Sequence, residues 1–331
     1  RLLDYVISAI VLAGLAQFLF VFVAARCAAL RVTLTRPALS DDVKKVWRLA
    51  VPGILAAGIG QINLLVGTSI ATGQAGAAAW LYYADRLYQL PMGVIGVALS
   101  VALLPELARR LAKGETARAH GAQDMAILAA SGLTLPAAVG LAVLAAPIVT
   151  LLFERGAFSA ADSAMTAQLI IVFSFGLPAF VVVKALQPSF FARQDTRAPL
   201  IDGAIGVGVN IALSLVLFAR FGAPAIAFAT VMAGWVTLTL MLWRMARRDI
   251  YHLSWSLLRR LAAQLVAAAL MGWALYQGMG LLPPDILSDD LSGLTAWLVG
   301  FIAAGALVYG LAVVALGGLR RGDVGLLRGS Q

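Results

Sequence analysis

Trp80-Leu-Tyr-Tyr-Ala-Asp85-Arg86-Leu-Tyr-Gln89-Leu-Pro91-Met-Gly-Val-Ile-Gly-Val-Ala-Leu99 holds two charges and a proline inside a run that continues apolar to Pro105. The run is long enough to cross a bilayer, which takes about 20 residues as a helix. A charge at membrane depth is costly, so one that is kept there marks a water-filled pathway or a substrate site by default. At helical spacing Tyr82, Asp85, Arg86 and Gln89 share one face. The result is a polar stripe on a membrane helix, and Pro91 removes a backbone donor just beyond it.

Composition extends this reading to the whole chain. Of 331 residues, 61% are hydrophobic and 12% charged, with a mean hydropathy of +0.91. A soluble chain of this length cannot bury so much apolar surface, which predicts an all-α polytopic membrane protein. The formal charge of +9 would suit a nucleic-acid binder. Its basic residues, however, sit in short clusters between apolar runs, as membrane topology requires. The single cysteine, Cys27, excludes an internal disulfide and a cysteine metal cluster. The chain opens Arg1-Leu-Leu-Asp4 and shows no signal-peptide pattern, and we expect a portion of a longer protein.

Runs of spanning length fall at about 5–25, 50–72, 78–108, 122–152, 164–192, 199–219, 224–244, 260–282 and 293–317, or about nine helices. Pro91, Pro136, Pro178 and Pro188 predict kinks in three of them. Twenty of the 25 Lys and Arg residues lie in alternate loops on one side, three (Arg1, Arg155 and Arg220) on the other, and two (Arg86 and Lys184) within spans. The positive-inside rule then predicts a cytoplasmic C-terminus. Tyr251 to Arg260 reads as an interfacial helix.

Arg86 lies about 13 Å inside the outer end of its helix, further than snorkelling comfortably covers. Its guanidinium suits bidentate binding of a phosphate or carboxylate. The alternative is that Asp85 and Arg86 satisfy neighbouring helices and lock the bundle. Lys184 either lines the same cavity or snorkels past Pro188. Gln61, Asn63, Asn210, Ser214 and Thr230 are neutral polar residues within spans. Asn210 and Ser214 share a face and could contribute to an oxygen cage for Na⁺, although interhelical hydrogen bonds are the commoner use. Gly203, Gly206 and Gly208 lack the strand and the Lys-Ser/Thr of a phosphate loop and point to close helix packing. Asp41-Asp42 reads as a loop or cap. His120 and His252 fall in loops on the basic side with no cysteine nearby, and neither is expected to serve catalysis or zinc.

Several motifs resemble the MurJ (MviN) lipid II flippases of the MOP exporter superfamily. They are Gln61-Ile-Asn63-Leu-Leu-Val, Tyr82-Tyr-Ala-Asp85-Arg86-Leu-Tyr-Gln89-Leu-Pro91-Met-Gly-Val, Leu104-Pro-Glu-Leu, Leu152-Phe-Glu-Arg155-Gly-Ala-Phe158 and Phe190-Phe-Ala-Arg193-Gln-Asp195-Thr-Arg-Ala-Pro199. The resemblance implies that the nine spans are the sixth to fourteenth of a fourteen-helix, two-lobed transporter lacking most of its N-lobe. It divides the chain into a first helix and cytoplasmic linker (1–48), a six-helix C-lobe (49–248), and an interfacial helix, two-helix lipid-tail groove and tail (249–331). It implies alternating-access transport of lipid II, the undecaprenyl-diphosphate-linked peptidoglycan precursor, across the bacterial inner membrane.

By that resemblance Arg86 and Asp85 meet the pyrophosphate, and Tyr82, Gln89, Lys184 and Asn63 join them as substrate-binding candidates. Some members hold Na⁺ on the seventh, eleventh and twelfth helices, where Gly67, Asn210, Ser214, the Ile226 carbonyl and Thr230 fall here. Gly67 and Ser214 stand where those members place aspartates, so sodium, protons and membrane potential all remain open as the coupling. Other readings are an exporter of drugs or of another polyprenyl-linked glycan, and a non-transporting membrane scaffold. A membrane transferase or phosphatase is a further alternative class, and no enzymatic activity is expected.

Overall fold

A computed structural model describes residues 2–27, 43–44, 47, 61, 63–280 and 291–318. Two compact units divide the chain, Arg1–Ala50 and Val51–Gln331. In the first, α1 (Leu2–Cys27) is predominantly apolar and exposes nearly every side chain from residue 7 onward. The Arg26 guanidinium lies 5.0 Å from the Phe22 ring at its C-terminal end. The sequence motif at 41–42 lies outside the described residues.

The second unit comprises α2 (63–71), α3 (Ala77–Ala112), α4 (Thr116–Val143), α5 (Ala145–Phe153) and α6 (Ala160–Ser174), then α7 (Leu177–Phe191), α8 (Arg197–Phe221), α9 (Ala223–Arg247), α10 (Trp255–Met279) and α11 (Leu291–Ala315). Among the described residues, seven helices are long and apolar enough to span a membrane, or eight if α6 and α7, bent by 43°, form one broken span. The ninth expected span, near 50–72, is described only at residues 61 and 63–72.

Two prolines account for the breaks. A helical proline clashes with the carbonyl four residues earlier. Pro178 and Pro147 each follow a helix that ends four residues before them, at Ser174 and Val143. The expected single span over 122–152 is therefore two helices, α4 and α5, because Pro147 ends the first. By contrast α3, α4 and α7 continue as helices through Pro91, Pro105, Pro136 and Pro188. The expected interfacial helix at 251–260 is also corrected. Residues 251–254 are non-helical, and the Ser254 hydroxyl caps α10 by accepting from the Leu257 amide at 3.1 Å.

The main core lies between α3, α4, α6, α7 and α9, with Leu169, Ile170, Leu177, Leu186, Phe190 and Met241 fully buried. A second cluster (Ala267, Met271, Leu275, Tyr309 and Val313) seats α10 and α11 against α4. Of the three glycines expected to serve close packing on α8, Gly206 does so: a Cβ there would meet the Ala233 carbonyl oxygen of α9 at 3.2 Å. Gly203 and Gly208 have open space around them.

At the end carrying the basic clusters, Asp202 is wholly buried and accepts Arg244 Nη2 at 2.5 Å and Nε at 3.0 Å, joining α8 to α9. Asp195 accepts from the Arg197 and Ala198 amides and pairs with Arg248 at 2.5 Å. Burial would raise its carboxyl, but those bonds and the Arg248 charge outweigh it and hold the group below the ordinary range. The α9–α10 connector is fastened to α4. The Tyr251 hydroxyl donates to Asp124, the Ser254 hydroxyl donates to the same carboxylate at 3.2 Å, and His120 bonds the Ile250 carbonyl at 2.9 Å. Burial, then the bond to Asp124 and its charge, push the Tyr251 hydroxyl far above its usual range, so it remains a donor.

Gly76 starts α3 with φ +82, and a Cβ there would stand 2.5 Å from Trp80 Cζ2. Gly76→Ala is therefore expected to destabilise the protein by about 1–2 kcal/mol through left-handed strain and displacement of the indole. A lowered thermal midpoint together with altered Trp80 fluorescence would bear this out; an unchanged midpoint would contradict it.

Candidate functional site

Along α3 the polar stripe forms as its spacing predicts. The Gln89 amide donates to the Asp85 carboxylate, and the Arg86 guanidinium lies 4.9 Å from the Tyr82 ring centroid. Tyr82 is 55% exposed and Arg86 is exposed, while Asp85 and Gln89 are half-buried. Among the described residues Arg86 has no ion pair or hydrogen bond. Its guanidinium rests on an aromatic face, which is worth about 0.5–1 kcal/mol at an exposed site, and this leaves its N–H edge free for an oxyanion.

Lys184 reaches the same helix at a different level. Its stem crosses Gly96, where a Cβ would lie 2.6 Å from Lys184 Cδ, and Ser100 bonds its carbonyl at 2.9 Å. Gly96 and Ser100 extend the stripe of Tyr82 and Gln89 by helical phase, but Gly96 is ten residues from Arg86, about 15 Å along the axis. The two cations share a face without sharing a ligand position.

Asn63 joins a different group. Asn210 Nδ2 donates to Asn63 Oδ1 at 2.8 Å, and Ser214 donates to Asn210 Oδ1 at 3.2 Å. Thr230 donates back to the Ile226 carbonyl at 2.9 Å. Asn63, Asn210 and Thr230, with Gln187 and Thr237, border a cavity of about 230 Å³. These oxygens are neutral and satisfy one another, and Gly67 has only open space where a Cβ would be. A hard cation gains most from carboxylate ligands, and this set of neutral oxygens has none. On that ground the donor set does not fit the ion.

The helix that carries Arg86 also walls an apolar cavity of about 540 Å³. Leu87, Leu90 and Pro91 of α3 face Leu141 of α4, Leu275 of α10 and Ile302 of α11 across it. Sequence reasoning placed an apolar groove at the last two helices but gave no sign that α3, α4 and α5 complete it. The signal was a second, apolar phase on α3 beside the polar one.

A bundle of broken and continuous apolar helices, with a charged stripe along an exposed face of α3, has the fold of the MOP superfamily. An outward-facing multidrug resistance MATE family transporter of that superfamily superposes with a TM-score of 0.53 at 16% identity, over 84% of this chain and 65% of its own. A lipid II flippase MurJ in an inward closed conformation superposes with a TM-score of 0.68 at 22% identity, over 84% of this chain and 55% of its own.

The chain belongs to the lipid II flippase MurJ family, whose model matches residues 3–286. It is 43% identical over 307 residues to a probable lipid II flippase MurJ of Rhizobium meliloti (strain 1021), covering 92% of this chain and 57% of that one. It is 39% identical over 325 residues to a probable lipid II flippase MurJ of Rhizobium tropici, covering 98% and 60%. The chain thus spans under two thirds of the length of these relatives.

Proposed function

We propose that this chain forms the second lobe and terminal helix pair of a transporter that moves lipid II from the cytoplasmic to the periplasmic leaflet of the inner membrane. Transport proceeds by alternating access, with no enzymatic step, and the C-terminus is cytoplasmic. One observation carries the reading. Consecutive residues of α3, Arg86 and Leu87, serve two environments: an exposed guanidinium with a free edge, and the wall of a long apolar groove. That pairing suits an amphiphile with an anionic diphosphate head and a polyprenyl tail. A soluble drug has no use for it. Asp85, held by Gln89, sets the local field beside the guanidinium, and Tyr82 orients it. Lys184 guards a deeper level of the same face.

Reconstituted full-length protein should therefore move fluorescent lipid II across liposomes in preference to a polyprenyl phosphate lacking the headgroup or to cationic drugs. Equal transport of a drug would favour the exporter reading. Retention of cell growth without any lipid translocation would favour a scaffold.

Sodium is not part of this mechanism. Exchanging Na⁺ for K⁺ should leave the thermal midpoint of the full-length protein unchanged. Ser214→Asp combined with Gly67→Asp should make Na⁺ stabilising, by up to about 2.7 kcal/mol at a hundredfold excess over Kd. Stabilisation of the parent protein by Na⁺ would refute the assignment.

A further inference from the structure

At the end of the bundle away from the basic clusters, a second pocket of about 530 Å³ opens between the start of α3, the end of α5 and the start of α6. Its walls include Trp80, Tyr83, Phe153, Arg155, Phe158 and Asp162. The aromatic groups brace one another. Tyr83 lies 4.7 Å from Phe153 and 5.3 Å from Phe158 between ring centroids. The Trp80 indole is held from two sides, against Gly76 and by its Nε1 donating to Asp162 at 2.7 Å.

The charges in the wall are not equivalent. Both oxygens of Asp162 are taken, one by Trp80 and the other by the Ser159 amide and hydroxyl in the α6 capping box. Arg155 uses only Nη2, which donates to the Leu151 and Leu152 carbonyls at 3.1 and 2.7 Å and closes the C-terminus of α5. Its Nε and Nη1 are left for a ligand. A rigid aromatic wall beside one available guanidinium selects a ligand with an apolar ring face and a carboxylate. Pyranose rings present such a face through their axial C–H groups.

The pocket also adjoins the proposed diphosphate position. Tyr83 meets Tyr82 edge-on at 5.7 Å, and Tyr82 carries Arg86 on its ring. We propose that this pocket is a subsite for the saccharide–peptide part of the lipid-linked headgroup, an aromatic wall taking a sugar ring and Arg155 a carboxylate. The inference rests on the flippase reading and assigns the headgroup a resting place on the outer side of it. The volume admits a disaccharide but not the whole headgroup, since small-molecule sites run from about 300 to 1,000 Å³. The peptide would then trail into solvent past Ala157.

The test uses full-length protein carrying 5-fluorotryptophan, with the Trp80 ¹⁹F resonance assigned through Trp80→Phe. The probe is the soluble disaccharide–pentapeptide, free of diphosphate and lipid. It should shift the Trp80 resonance saturably with a millimolar midpoint. Arg155→Gln should weaken the midpoint about tenfold. Ala157→Phe, at an exposed position on the rim, should abolish the shift while the thermal midpoint holds. Arg86→Ala should leave the titration as it is. The proposal is overturned by a resonance that does not move, by an unchanged titration in Ala157→Phe, or by loss of the shift in Arg86→Ala. Headgroup binding without lipid II translocation by the parent protein would sink the flippase reading and keep the pocket. Translocation with a silent Trp80 would sink the pocket alone.

Discussion

Arg86→Ala in the full-length protein is expected to slow lipid II translocation about 100-fold, the loss of two charge-assisted hydrogen bonds to one diphosphate. The readout is the fraction of fluorescent lipid II in proteoliposomes that becomes accessible to a membrane-impermeant quencher. Arg86→Lys keeps the charge but loses the planar fork and the stacking on Tyr82, and should recover only part of the rate. Stability should barely change, because the guanidinium is exposed and its contact is a single aromatic face. That split distinguishes a binding role from a structural one. Were Asp85 and Arg86 merely locking the bundle, the alanine variant would lower the thermal midpoint and the rate together. Full translocation by Arg86→Ala would remove Arg86 from the site.

The largest effect on stability is expected at Asp202. Removing one member of a buried ion pair leaves the other desolvated without compensation, which costs about 3–5 kcal/mol. Arg244 keeps 19% of its side-chain surface exposed and can turn partly to water, so Asp202→Ala should fall near the lower end, about 3 kcal/mol. The double variant Asp202→Ala with Arg244→Leu should recover most of the loss, since an apolar pair of similar volume is tolerated where a lone charge is not. Thermal unfolding in detergent measures both. A double variant no more stable than Asp202→Ala would show that packing around Asp202, rather than the orphaned charge, dominates.

Most helix positions were legible because lipid leaves few alternatives: an apolar run of sufficient length must satisfy its backbone internally. The α3 stripe was legible for the same reason, since charges there stand out against Leu and Val. Breaks were harder. Pro147 and Pro178 follow helix ends while Pro91, Pro105, Pro136 and Pro188 lie inside continuous helices, and proline by itself does not tell the two cases apart. At the α6–α7 break a Cβ on Gly176 would meet Phe180 at 2.8 Å and Val231 of α9 at 3.0 Å.

Pairings across long separations were the least legible. Asn63 reads as a neutral polar residue suited to an interhelical hydrogen bond, but nothing in the local sequence identifies its partner Asn210, 147 positions away. Arg244 reads as one more inner-loop cation, and nothing in the local sequence announces Asp202, 42 positions earlier. Trp80 and Asp162 are 82 apart, so the pocket they line has no local signature beyond the aromatic-rich Leu152 to Phe158 segment.

The fastening of the α9–α10 connector to Asp124 has a mechanical corollary. A hinge there would let the last two helices swing independently of the lobe. With Tyr251, Ser254 and the Ile250 carbonyl all tied to α4, that joint is welded. In the proposed transport cycle the apolar groove of α10 and α11 then travels with the helix that carries Arg86, and the slack between a tail left in lipid and a travelling head comes from the bending of the prenyl chain itself.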